Sequence, residues 1–249
     1  MKQEQGFVAG TLVHTDKGLV PIEQIKVGDM VLSKHESGQG EQAYKRVVRT
    51  FKSEEKKRVV QIKFRDNDNN GEMCLFATED HPFWVDEMGG WTPLKDFPRC
   101  EEVIGSSLRN IHNDLLTVCN TPWIPLLKTT VEDIALSSNV WQWEAGCGFS
   151  ALVDFRDQRP LLVISREGNF LVELLSDSFS PNEHVKYLSP SEEDPEFIFY
   201  NDTLRGDLSP VDDGRDNAYT TYVYNIEVAD NHTYFVGKSG ILVHDNSLI

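Results

Sequence analysis

The 249-residue chain has four cysteines and no Cys-x-x-Cys pair: Cys74, Cys100, Cys119 and Cys147 stand far apart. A zinc site needs closely spaced thiolates or imidazoles, so this signal is absent, and no metal or other cofactor is expected. The expectation is four ordinary buried thiols in a reducing compartment. No apolar run reaches the length a bilayer span requires, so no membrane insertion is expected. The opening Met1-Lys2-Gln3-Glu4-Gln5 lacks the apolar region of a signal peptide. Bases are scarce as well, with 24 Lys and Arg against 40 Asp and Glu and a formal charge of -16. The deficit is local. Residues 1–99 hold 16 acids and 15 bases, whereas residues 100–218 hold 21 acids and 8 bases, a step that marks a change of module. Because affinity for phosphates comes from Lys and Arg, a nucleic-acid partner is excluded.

What is present reads as short strands and turns. Gly10–Thr15 and Met30–Ser33 are apolar and short, with Asp16-Lys17-Gly18 and Gly38-Gln39-Gly40 as breakers. Tyr44–Phe51 and Arg58–Phe64 alternate apolar and charged residues, as half-buried antiparallel strands do. Residues 66–71 form a loop and Met73–Thr78 resumes strand. Tyr222–Val228, Thr233–Val236 and Ile241–His244 return to the same idiom at the other end. Between these β-rich ends, Ser106–Cys119 predicts an amphipathic helix. Phe149–Phe155, Leu161–Ser165 and Phe170–Leu175 predict a meander. Ser176–Gly214 is acidic and rich in Ser, Pro and Asp, which suits loose order. Trp84, Trp91, Phe83 and Phe97 are candidate core aromatics, and Trp141 and Trp143 suit one aromatic face of a strand. His14, His35, His112 and His184 have no motif around them.

The chain ends on chemistry. Gly240-Ile241-Leu242-Val243-His244-Asp245-Asn246-Ser247 places an Asn-Ser pair two residues past a His that closes an apolar strand. An Asn side-chain amide can attack its own carbonyl carbon, close a succinimide and release the next residue as an amine. The reaction needs a dry site and a proton donor for the leaving nitrogen. A His near neutrality suits that role.

Three stretches belong together: Gly6-Phe7-Val8-Ala9-Gly10-Thr11-Leu12-Val13 with Val27-Gly28-Asp29, then Thr78-Glu79-Asp80-His81-Pro82-Phe83-Trp84, then Asp230-Asn231-His232 followed by the terminal array. In this order they resemble the Hint (Hedgehog/intein) self-processing module, and most closely the pretoxin-type Hint domains of bacterial polymorphic toxins. The resemblance covers residues 6–97 and 219–247. It implies an all-β fold of short antiparallel strands built from both ends of the chain, residues 1–97 and 219–249, with 98–218 inserted as an acidic, mostly β subdomain.

The same resemblance implies the roles. Gly6 stands where the family has a Cys or Ser nucleophile. Thr78 and His81 match the pair that polarises the upstream bond. Asp230 and His232 match the late Asp and His, and His244 matches the His that assists cyclisation. Asn246 matches the cyclising Asn, and Ser247 the residue after it. Two departures matter. Gly6 has no side chain, so an acyl shift there has no attacking group and splicing is expected to be absent. Asp245 intervenes between His244 and Asn246. Along an extended strand His244 and Asn246 share a face and Asp245 points opposite. Either a bulge restores the Asn, or Asp245 occupies the cyclising position and the site is slow.

The expected activity is single-turnover self-cleavage between Asn246 and Ser247, with the chain's own polypeptide as substrate. A C-terminal toxin payload and secretion-system or immunity proteins are the expected partners, with residence in the bacterial cytoplasm before export as part of a larger effector. The alternatives are a Hint scaffold without turnover and an insert that carries a toxin activity of its own.

Overall fold

A computed structural model describes residues 5–66, 72–97, 106–118, 124–137, 151–156, 160–166, 169–174, 185–188, 190, 194–206 and 217–245. The architecture is antiparallel β throughout, with one α-helix among the described residues. Two compact units divide it: Met1–Trp123 with Ser176–Phe179 and Thr221–Ile249, and Ile124–Leu175 with Ser180–Thr220.

The first unit joins the two ends of the chain. Phe7–Val8 pairs with Val223–Val228 (Phe7 opposite Tyr224) and on its other side with Ala77. Leu12–Thr15 pairs with Gly18–Pro21 and meets Val236 through Val13. Ala43–Lys52 pairs with both Met30–Ser33 and Val223–Val228 and shows its outer face to solvent. Val60, Ile62 and Phe64 alternate inward along Val60–Asp66, which pairs with Glu72–Ala77. This period of two puts one side of each strand into a single core with Phe7, Val13, Phe83, Phe97, Ile226, Tyr234 and Val243. Phe83 and Phe97 are thus core residues. Trp84 and Trp91 are half-buried and pack edge to face on each other beside Phe235 and Leu242. Cys74 is buried; the other cysteines, Trp141, Trp143 and His184 lie outside the described residues.

The helix expected over Ser106–Cys119 is not formed. Ser107–Arg109 and Leu115–Val118 are a hairpin, with Leu108 opposite Leu116, and Leu115–Val118 continues the sheet beside Val60–Asp66. The spacing of Leu108, Ile111, Leu115 and Leu116 imitates a helical face. The turn overrides it: Asn110 Oδ1 accepts the N–H groups of His112 and Asp114, and Asn113 takes a left-handed conformation at φ 68°. This hairpin belongs to the first unit, so the second unit begins at Ile124 and not near residue 98.

The second unit is a meander of Ile124–Lys128, Ile134–Ser137, Ala151–Asp154, Leu161–Arg166, Asn169–Leu174 and Val185–Leu188, each strand antiparallel to the next. The helix Pro195–Gly206 lies in the stretch expected to be loosely ordered. Its start is legible: Asp194 Oδ1 accepts the N–H groups of Glu196 and Phe197, and Pro195 takes the first helical position. Phe197 and Tyr200 then share a core with Ile134, Leu152 and Val163. The Tyr200 hydroxyl donates to buried Asp154 (2.9 Å), which Arg156 also holds. Burial works to raise the Asp154 carboxyl, but Arg156 and Tyr200 outweigh it and leave it below the usual carboxylate range.

Candidate functional site at the end of the last strand

Ile241–His244 is buried at every position and lies between two antiparallel neighbours. On one side Thr233 sits opposite His244; on the other Val243 sits opposite Phe83. Antiparallel pairing sets the beginning of each flanking strand beside the end of the central one. His232 directly precedes Thr233–Val236 and His81 directly precedes Pro82–Val85. Two imidazoles far apart in sequence are thereby delivered to the end of the strand that carries His244.

Asp245 follows the strand and is only 2% exposed. Its N–H donates to the His232 carbonyl (2.8 Å), extending the pairing one residue beyond the strand. Its carboxylate Oδ2 accepts the Val228 N–H (2.8 Å), with His232 Nδ1 at 3.4 Å. Its main-chain carbonyl accepts a hydrogen bond from His244 Nδ1 (2.9 Å). A carbonyl oxygen can only accept, so the proton of this pair is on Nδ1. His244 is itself 3% exposed, and Trp91 packs edge to face against its ring at 4.9 Å between centroids. His244 and Asp245 are thus both buried at the end of this strand, with Asp245 Oδ1 3.8 Å from His244 Nδ1.

At the other end of the chain, the Gln5–Gly6 peptide group is held at both its polar atoms. The Gly6 N–H donates to Thr78 Oγ1 (3.2 Å), and the Gln5 carbonyl accepts from Asn225 Nδ2 (3.2 Å). Asn225 Oδ1 accepts the Ile226 N–H and the Tyr234 hydroxyl, which fixes the amide so that its NH₂ faces Gln5. Burial lifts the Tyr234 hydroxyl well above its ordinary range, with the Asp245 carboxylate adding to the effect. It stays protonated and keeps donating.

The structure also explains why position 6 is glycine. A Cβ built there would stand 2.4 Å from the Tyr224 carbonyl oxygen, and a backbone carbonyl cannot swing aside. Gly6→Ala and Gly6→Cys are expected to cost about 1–3 kcal/mol in urea unfolding, the range for overpacking a tight site.

His81 is completely buried, and neither ring nitrogen has a hydrogen-bond partner among the described residues. It lies edge to face against Phe7 at 4.3 Å between centroids. Burial first, and the neighbouring His244 second, depress its pKa from 6.5 to about 3. The unfolded chain therefore binds a proton between those limits that the folded chain does not. Stability falls as pH drops below 6.5, by about 1.4 kcal/mol per unit from this group. His81→Leu is expected to flatten the acid limb of a stability–pH curve by that slope. An unchanged limb contradicts the assignment.

Thus Gly6 and Thr78 are brought together, His81 lies in the core beside them, and His232, His244 and Asp245 meet at the last strand. Asp230 is not part of this group. It is in the left-handed region at φ 66°, its side chain is 71% exposed, and it pairs with Lys45 Nζ at 3.0 Å. A left-handed pair of residues, Asp230 and His232, makes the turn, and the turn aims the Asp outward. Asn246 and Ser247 lie outside the described residues. Asn225 escaped the sequence reading. Its signal was an amide in the middle of the apolar run Val223–Val228, where a buried polar group requires partners.

With this geometry, the class is an antiparallel all-β fold in which Phe7–Val8, near one end of the chain, pairs with Val223–Val228, near the other. The family described as "Pretoxin HINT domain" matches residues 12–123 of the chain. That match ends before the last strand. Among solved structures, the chain is similar to a bacterial intein-like domain from Clostridium thermocellum (19% identity, covering 98% of this chain and 100% of that one, TM-score 0.47). It is also similar to the gp41-1 intein (15%, 98% and 100%, TM-score 0.45) and to a DnaB intein from Synechocystis sp. PCC 6803 (11%, 98% and 100%, TM-score 0.44). No curated protein matches the chain.

Proposed function

We propose that this chain is a self-processing Hint-type domain, and that its reactive bond is the peptide bond following Asp245. One observation carries the reading: the Asp245 carbonyl is the acceptor of the buried His244 Nδ1–H at 2.9 Å. A donor aimed at a carbonyl oxygen draws charge from its carbon and steadies the oxyanion that attack creates. The nucleophile is the residue's own side chain. A carboxylate oxygen of Asp245 attacks its main-chain carbon, the bond to the Asn246 nitrogen breaks, and the Nδ1 proton passes to that nitrogen. The products are a cyclic anhydride at residue 245, which water opens, and a free amine on Asn246. His244 enters this step as imidazolium and leaves it neutral, so the charges balance.

Cleavage by a carboxylate is slow, because the anhydride reverts unless the leaving nitrogen is protonated. With glycine at position 6 the upstream junction has no side-chain nucleophile, so the reading is C-terminal cleavage without splicing. In a longer precursor the cut frees whatever follows, a toxin payload on the pretoxin reading. Intact-mass measurement over days at pH 5 to 8 tests it. Loss of Asn246–Ile249 supports cleavage after Asp245, and loss of Ser247–Ile249 moves the reaction to Asn246. An unchanging mass favours a scaffold, the second reading, for which the glycine at 6 and the carboxylate at 245 both speak.

A further inference from the structure

His244 has a second ring nitrogen, and the loop between Met30–Ser33 and Ala43–Lys52 brings a carboxylate to it. Glu36 Oε2 lies 3.9 Å from His244 Nε2. The loop is tied at several points around this contact. Thr233, which sits opposite His244, accepts the Lys34 N–H and donates to the Lys34 carbonyl. The Trp91 indole N–H donates to the Glu36 carbonyl (2.7 Å) while its ring packs against His244. Gly38, at φ 71°, sits so close to Trp84 that a Cβ would reach 2.4 Å from the indole. Trp91 therefore touches the imidazole and also anchors the backbone of the acid that faces it.

Resting on the self-processing reading above, we propose that Glu36 is a positioning residue for His244. It keeps a proton on Nε2, so that Nδ1 carries the proton aimed at the Asp245 carbonyl and is the nitrogen that surrenders it. The argument is one of donor count. Nδ1 must donate to a carbonyl that can only accept, and a bare Nε2 lone pair would face a carboxylate. Both demands are met when both nitrogens are protonated. After the Nδ1 proton is delivered, Nε2–H still faces Glu36 and the ring keeps its orientation. The other ionisable groups around the ring are Asp245, whose Oδ1 is 3.8 Å from Nδ1, His81, and His232 through Asp245. Only Glu36 faces Nε2 among the contacts described.

The test uses the full chain with Glu36→Gln, Glu36→Asp and the wild-type residue. Ring nitrogen NMR on the uncleaved protein at one fixed pH reads the protonation of His244 directly. Glu36→Gln is expected to shift the ring toward a singly protonated form, and Glu36→Asp to retain the doubly protonated signature. Cleavage, followed in an Asp245→Asn background, is expected to slow about tenfold in Glu36→Gln with recovery in Glu36→Asp, a part of what a positioned acid supplies. An unchanged ring signature in Glu36→Gln overturns the proposal, whatever the cleavage rate. A changed signature in a protein that never cleaves leaves the Glu36 contact standing and sinks the self-processing reading instead.

Discussion

Asp245→Asn is expected to turn a slow junction into a fast one, raising cleavage by at least about tenfold, equivalent to about 1.4 kcal/mol of barrier. The reason lies in the leaving groups. When a carboxylate attacks its own carbonyl, the intermediate sheds the carboxylate more readily than an amide nitrogen, so most attacks reverse. When an amide attacks, the imide that forms is a stable product. The site should accept the change because Asn can present its carbonyl oxygen to the Val228 N–H that Asp245 Oδ2 now accepts. His244→Ala in the same background removes the donor at the scissile carbonyl and the proton source together, and is expected to cost about 10²–10⁴ in rate. Gel or mass time courses read both. Equal rates for the Asp and Asn forms would show that residue 245 is not the attacking group.

Phe7→Ala is expected to be among the most destabilising single changes in the first unit, at about 3–5 kcal/mol in equilibrium unfolding. Phe7 is fully buried, and its strand is wedged between Ala77 and Tyr224. Its ring packs edge to face on His81, Phe83 and Tyr234. Truncation also opens space beside His81. Water entering there relieves the desolvation that depresses that imidazole, so its pKa is expected to climb from about 3 toward 6.5. A protein that loses stability while His81 remains neutral at pH 5 would show that the burial of His81 comes from elsewhere.

Much of the first unit was readable because its strands carry a plain alternation. Val60, Ile62 and Phe64 announce an inward face, and Gly237–Gly240 announces a turn. The site was readable as residue types in order, since His81, His232 and His244 each border a strand. What escaped were features that depend on the partner strand. Ser106–Cys119 has helical spacing, and Asn110 and Asn113 bend it into a hairpin. Asp245 reads either as the opposite face of a strand or as the cyclising position, and only folding supplies its partners, the Val228 N–H and the His232 carbonyl. Asn225 and Glu36 became visible only when folding set them against Gln5 and His244, 220 and 208 residues away in sequence. Asp230 shows the converse, a motif residue whose backbone aims it at solvent.

The most direct measurement is the mass of the large fragment released from Asp245→Asn, taken before hydrolysis. The self-processing account predicts a fragment ending at residue 245 that is lighter by one water than the free acid, the mark of ring closure, and its formation about 10²–10⁴ slower in Asp245→Asn/His244→Ala. A fragment ending at Asn246, or a chain that stays whole, would contradict it.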